Sequence, residues 1–297
     1  MLTVGIAAHP TKPIAEAVET ITRWCSSHNV RAVGLESSAG RLPADLELLD
    51  EERFRTGVDA VISLGGDGTM LGAMRLVADR PVPVLGTNYG NLGFLIELQP
   101  DELEGALARI VENDFSIEGH HALDVAVTGP DGVENHHLVF NDFVLARRPG
   151  QGTVQADLSV AGIPYGFVKA DGIITATPAG STAYSYAAGG PVVSPALPAV
   201  VVTPVASMAG LSRPFILGHE DGLSLTLTAP HSTVAMEADG VLIGDAGTGT
   251  RVELRLRPDA GQVIRFDKQG HTQRGMLKLS LLDLPFTRDQ LAERLGR

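Results

Sequence analysis

The sequence contains one cysteine, Cys25, which excludes an intramolecular disulfide and any zinc site built from several thiolates. A reducing compartment is the natural expectation. Basic side chains are also short in supply, 23 against 35 acidic ones, leaving a net charge of −12. So acidic a surface repels a phosphate polymer, and no nucleic-acid partner is expected. No apolar run reaches the ~20 residues of a membrane span. The most apolar tract, 195–211, is broken by Pro198 and Pro204 and reads as core. The apolar residues 1–8 give way to His9-Pro10-Thr11-Lys12 too early for a signal peptide, so a cytoplasmic protein without a membrane partner is expected. Missing too are the P-loop pattern G-x-x-x-x-G-K-[ST], the zincin H-E-x-x-H, the G-x-S-x-G elbow and the protein-kinase signatures. Small-molecule chemistry by another device is what remains.

With 44% apolar residues in 297, the chain has material for a core and a length that suits about two domains. Residues 1–119 alternate short apolar runs with helical stripes, as a parallel α/β unit does. Strands are expected at 2–7, 31–35, 59–64 and 83–86. Helices are expected after Pro13 (Ile14, Ala17, Val18, Ile21, Trp24), over Met70, Leu71, Met74 and Val77, and over 101–113. From about residue 120 the period becomes two, as in Leu123-Val125-Val127, Leu223-Leu225-Leu227 and Val252-Leu254-Leu256, which predicts a β-rich, sandwich-like second domain over 120–270. Leu291 and Leu295 suggest a short closing helix in a segment, 271–297, that returns to the first domain. The expected site lies in the cleft of the two domains.

Glycine, 34 residues in all, gathers in a few loops, and those loops carry the chemistry. Gly65-Gly66-Asp67-Gly68-Thr69 follows a strand and opens a helix. Bare glycines let the backbone approach an anion, and a helix start offers unpaired N–H groups to a phosphate. An aspartate there would repel a phosphate unless it accepts a proton from a hydroxyl or holds magnesium. The same residues also suit a tight βα turn with Asp67 as helix N-cap. A second cluster runs from Asp171-Gly172 through Thr177-Pro178-Ala179-Gly180-Ser181-Thr182-Ala183-Tyr184 to Ala187-Ala188-Gly189-Gly190-Pro191; its small and hydroxyl residues suit ribose, amide or phosphate oxygens, or simply a glycine-rich turn. Asn141-Asp142 pairs an amide with a carboxylate, a set that can bind a ribose diol. His120-His121 and His136-His137 point their rings to opposite sides of an extended chain, which argues against a metal site.

In that order these motifs, together with Gly86-Thr87-Asn88-Tyr89-Gly90-Asn91-Leu92-Gly93-Phe94-Leu95, resemble the NAD kinase family over most of the chain. The glycine loop is shared with diacylglycerol, sphingosine and 6-phosphofructokinase relatives; the Thr-Pro-x-Gly-Ser-Thr-Ala-Tyr block is far more specific. The resemblance implies magnesium-dependent transfer of the γ-phosphoryl group of ATP, or of polyphosphate, to the 2'-hydroxyl of the adenosine ribose of NAD(H). It implies Asp67 as the proton acceptor, with Gly65, Gly66, Gly68 and Thr69 shaping the phosphate loop. Asn141 and Asp142 would hold ribose and adenine-side groups, Phe94 would pack on an adenine, and Asp171, with Lys169 nearby, would take the nicotinamide end. Thr182, Ala183, Tyr184 and Ala187 would line the adenosine pocket. No protein ligand to a metal is assigned. A homodimer or homotetramer is implied as well. Lys169, Arg147 and Arg148 are the candidate cations, although the two arginines read better as a solvated loop. Asp142, Ala179, Ala187 and Val241 depart from the family pattern, leaving reaction class intact and the choice of NAD or NADH open. Two rivals stand beside this reading: a lipid or sphingoid-base kinase that shares the glycine loop, and a weakly catalytic NAD(H)-binding sensor.

Overall fold

The computed structural model describes residues 1–89, 95, 96, 98–230 and 232–267. Phe94 and the segment 271–297, with its expected helix, lie outside them. The chain forms two compact units, Met1–Glu118 joined by the chain from Gln262, and Gly119–Gly261. Among the described residues no helix is long and apolar enough to cross a membrane.

The first unit runs β1 (Thr3–Ala8), α1 (Ala15–Ser27), β2 (Arg31–Leu35), β3 (Glu47–Leu49), α2 (Glu51–Gly57), β4 (Ala60–Gly65), α3 (Asp67–Leu76), β5 (Pro83–Asn88) and α4 (Leu103–Val111). Its strands are parallel and lie in the order β3-β2-β1-β4-β5. Every residue of β4 is buried, which is why Ala60-Val61-Ile62 carries no alternation: a central parallel strand is covered on both faces. Helix α1 buries Ala17, Val18, Ile21, Trp24 and Cys25, and α4 buries Leu103, Ala106, Leu107 and Ile110, both at helical spacing. The helix expected over 101–113 is shorter, because Pro100–Glu102 forms a separate 3-10 turn capped by Gln99. The sequence reading missed β3 and α2. Helix α2 carries a readable start, since the Asp50 side chain accepts the Arg53 N–H at 2.8 Å, but only Phe54 of its seven residues is buried. In this strand order the direction of winding reverses at β1 and β4, and ligands of such sheets collect at the carboxyl ends of the strands beside the reversal. The Gly65-to-Thr69 loop occupies the carboxyl end of β4.

The second unit is a β-sandwich. Its elements are β6 (Ser116–Thr128), β7 (Glu134–Val139), β8 (Asp142–Arg147), β9 (Val154–Val160), β10 (Ile163–Ala170), β11 (Gly172–Ala176), α5 (Tyr184–Ala187), β12 (Ala199–Val205), β13 (Ala209–Gly210), β14 (Phe215–Gly218), β15 (Leu223–Leu227), β16 (Val234–Ala238), β17 (Val241–Ala246) and β18 (Arg251–Arg265). One antiparallel sheet has the order β14-β12-β11-β8-β16-β17, and β13-β10-β9-β15-β18 form the facing one. The predicted alternating runs from Leu123, Leu223 and Val252 turn their apolar members into the shared core, beside Phe143, Leu145 and Ile173 from the other sheet. The tract 195–211 is core only in part. Ala199 to Thr203 are buried in the middle of a sheet, whereas Leu197 and Met208, in the flanking turns, are half exposed. Strand β10 leaves Ile163, Tyr165 and Phe167 exposed along one stretch.

Candidate functional site

In the first unit the glycine loop joins the end of β4 to the start of α3. Gly66 is the N-cap of α3 and Asp67 its first residue, with no side-chain capping bond. The expectation of Asp67 as N-cap therefore gives way. Its Oδ1 instead accepts the backbone N–H of Leu95 at 3.3 Å, and the residue is half buried, within reach of a ligand. The Gly65 carbonyl accepts the Tyr89 N–H at 2.8 Å, tying the end of β4 to the residue that follows β5.

The glycines divide into two kinds. A Cβ on Gly65 would collide with the Thr69 side chain, so that glycine is required by the fold. Among the described residues a Cβ on Gly66 or Gly68 would meet nothing, and Gly66, at φ −124°, has extended backbone that any residue adopts. Nothing among the described residues demands glycine at these two positions. What a bare backbone provides there is room at a helix N-terminus, where N–H groups and the helix dipole favour an anion.

In the second unit the polar residues of the second cluster are fixed by one another. Thr177 donates its hydroxyl to the Phe140 carbonyl at 2.6 Å and accepts the Gly180 N–H at 3.0 Å. Gly180 packs so closely on Asn141 that a Cβ would overlap the Asn141 carbonyl. The Ser181 hydroxyl donates to Pro178 O at 2.6 Å and accepts the Val193 N–H at 3.0 Å, and Ser185 meets Thr203 at 2.8 Å. Thr182 and Ala183 are partly buried, while Tyr184 and Ala187, at the start and end of α5, are exposed. The departing residues have local explanations: Ala179 opens a 3-10 turn, and Val241 stands 59% exposed at the start of β17.

Asp142 is 4% exposed, and its carboxylate accepts the Tyr184 backbone N–H. Burial, reinforced by the nearby Asp239 carboxylate, pushes it up to about 6 from 3.8. Asp239 is the residue the sequence reading passed over. It sits at φ 49° before Gly240, in the turn from β16 to β17, and its carboxylate accepts the N–H groups of Asn141 at 2.6 Å and Phe140 at 3.1 Å. Its own N–H donates to Asp142 O at 3.0 Å. An Asp-Gly turn is visible in sequence; its clamp on a peptide 98 residues away is not.

The two arginines are solvent-accessible, and each carries an ion pair. Arg147 Nε contacts Asp171 Oδ1 at 2.8 Å and Arg148 contacts Asp245 at 2.7 Å. The antiparallel register of β8 and β11 causes the first pairing, since Gly172 lies opposite Ala146 and the Arg147 N–H donates to Asp171 O. Lys169 sits two residues before Asp171, partly buried in β10 opposite Gln155 and Ala209. Among the described residues no three His, Cys, Asp or Glu side chains converge as metal ligands.

A model of the ATP-NAD kinase N-terminal domain matches residues 4–115, and one of the ATP-NAD kinase C-terminal domain matches 140–266. The NAD kinase of Heliobacterium modesticaldum is 35% identical over 272 residues, 91% of this chain and 95% of that protein. The NAD kinase of Nocardia farcinica is 34% identical over 295 residues, 93% of this chain and 90% of its own. The fold is shared with yeast NADH kinase crystallised with NADH, at a TM-score of 0.83, 24% identity and coverage of 97% of this chain and 89% of that one. It is shared also with an Archaeoglobus fulgidus NAD kinase in complex with ATP, at 0.68, 22% identity and 94% and 98% coverage.

Proposed function

Because this chain belongs to the NAD kinase family and is a phosphotransferase acting on NAD(H), we propose that Asp67 is the base that takes the proton of the 2'-hydroxyl of the adenosine ribose. In that reaction the ribose oxygen forms a bond to the γ-phosphorus of ATP, the bond from phosphorus to the β–γ bridging oxygen breaks, ADP leaves with the electron pair, and the proton passes to the carboxylate. Such transfer asks for positioning and charge neutralisation, and for no covalent nucleophile. The observation that carries the reading is the pairing of two glycines that no described residue requires with an aspartate that does not cap its helix. Gly66, Gly68 and the start of α3 would receive the phosphates, with Gly65 and Thr69 shaping the turn. Magnesium enters this reading on the phosphates of the donor, which it commonly binds with few protein ligands.

For the dinucleotide, Asn141, Asp142, Thr182, Ala183, Tyr184 and Ala187 are proposed to line the adenosine side, and Asp171 with Lys169 the nicotinamide side. The mutual hydrogen bonds of Thr177, Gly180, Asp142 and Asp239 support this, because they preorganise a polar surface before any ligand arrives. The exposed Ile163, Tyr165 and Phe167 of β10 support assembly with further copies of this chain. Light scattering at micromolar concentration should return a dimer or tetramer, and a monomer would contradict this. Cys25 is buried, and burial pushes its thiol up to about 11, which suits a protein of the reducing cytoplasm.

The test of the phosphate loop is Gly68→Ala. Its Cβ enters open space inside a helix, where alanine is favoured over glycine by roughly 0.5–1 kcal/mol, so the melting temperature should hold or rise. The specificity constant for ATP should fall about tenfold or more. A stable variant with undiminished use of ATP would remove this loop as the phosphate site.

A further inference from the structure

Asp67 is linked to a buried cation through the backbone of Leu95. The N–H of Leu95 donates to Asp67 Oδ1 at 3.3 Å, and the carbonyl of the same Leu95 accepts Arg265 Nη1 at 2.6 Å. Arg265, at the end of β18, is 1% exposed, and its Nε donates to Glu118 Oε2 at 2.5 Å. The Ser116 hydroxyl in turn donates to the Arg265 carbonyl at 3.0 Å. Carboxylate, Leu95 backbone, guanidinium and second carboxylate thus form one continuous chain within the first unit.

We propose that Arg265 is a positioning residue for the phosphoryl transfer, anchoring the Leu95 carbonyl so that the N–H of that residue aims the Asp67 carboxylate. This rests on Asp67 being the base. A buried ion pair adds little net stability compared with apolar side chains of the same volume, so stability is a weak reason for a cation at this depth. Geometry is a better one. A guanidinium presents its donors in a fixed planar fork, and charge-assisted bonds are shorter and more directional than neutral ones. Glu118 fixes one edge of that fork, which leaves the Nη1 direction set and the Leu95 carbonyl with one orientation. The N–H and carbonyl of Leu95 lie in adjacent peptide planes that meet at its Cα, so anchoring the carbonyl limits where the N–H that meets Asp67 can point through the φ and ψ of that one residue. Displacing a base by about 1 Å can cost on the order of 10² in rate, so a tether two bonds removed from the reacting atoms is enough to matter.

The experiment compares Arg265→Met, Arg265→Lys, Asp67→Asn and the double variant Arg265→Met with Asp67→Asn, all in the full chain, reading kcat, KM for NAD and ATP, and NAD affinity by titration. Arg265→Met should lower kcat about tenfold or more with both KM values and NAD affinity within about threefold, and Arg265→Lys, which keeps a charged donor for the Leu95 carbonyl, should recover part of the loss. On the Asp67→Asn background, Arg265→Met should change the residual rate less than about twofold, because its effect passes through a carboxylate no longer there. A kcat for Arg265→Met within twofold of the parent overturns the proposal, as does a loss that multiplies undiminished with that of Asp67→Asn. If Arg265→Met fails to fold, Glu118→Gln serves in its place; a smaller kcat loss with the same non-additivity is expected, and simple multiplication overturns the proposal. Asp67→Asn at full speed would fail the base itself; slow Asp67→Asn beside fast Arg265→Met would fail only the positioning role.

Discussion

Asp67→Asn should lower turnover by about 10²-fold or more and leave NAD binding nearly unchanged. The substitution is close to isosteric and keeps an oxygen that can accept the Leu95 N–H, now 3.3 Å away, so the loop has no reason to move. What disappears is the capacity to take a proton at neutral pH. Since the side chain does not cap α3, no helix-capping bond is lost with it, and the melting temperature should shift by no more than a few degrees. Single-turnover measurements with saturating ATP separate the chemical step from product release. Retained turnover would take the base away from Asp67, whereas a loss of NAD affinity as large as the loss of rate would make it a binding residue.

Asp142→Asn should stabilise the protein at alkaline pH and lose that advantage in acid. The carboxyl of Asp142 stands at about 6 in the folded chain against 3.8 for an unperturbed aspartate, because burial and Asp239 both oppose its charge. A raised carboxyl binds its proton more tightly in the native state than in the unfolded one. Between 3.8 and about 6 the native state therefore holds more protons, and stability falls as pH rises through that window. Above it the ionised Asp142 costs about 3 kcal/mol, a figure from the two pKa values at ~1.4 kcal/mol per unit. Asparagine cannot ionise, and its Oδ1 can still accept the Tyr184 N–H. Urea unfolding should thus show the variant more stable by up to about 3 kcal/mol at pH 8, with the gap shrinking steadily as pH is lowered toward 4. A difference that does not vary with pH, or a less stable variant at pH 8, would show that the carboxylate is not opposed in this way.

Much of this was legible in the order of residues, and the part that was not shares one physical cause. Strand, glycine loop and helix around Asp67 are local: a buried run, a turn that needs bare backbone and an apolar stripe all fall within about twenty neighbouring residues. The alternating runs of the β-sandwich were legible for the same reason. Strand β3 and helix α2 escaped because each is short and buries little, so periodicity had nothing to act on. The partners of Asp239, Arg147 and Arg265 escaped because they are long-range. Asp239 reaches a peptide 98 residues away, and Arg265 reaches 147 and 170 residues back along the chain. Composition marks such residues only as charged. The motif gave Asp67 its candidate chemistry; only the fold shows that its carboxylate is turned from its own helix toward Leu95.

Identification of the product tests the account most directly. Purified chain incubated with ATP, magnesium and NAD should form NADP mole for mole with ADP, and phosphorus NMR should show the new phosphate as a monoester on the 2' oxygen. Release of ADP with NAD untouched, a phosphate on some other hydroxyl, or tight NAD binding with no turnover would each contradict it.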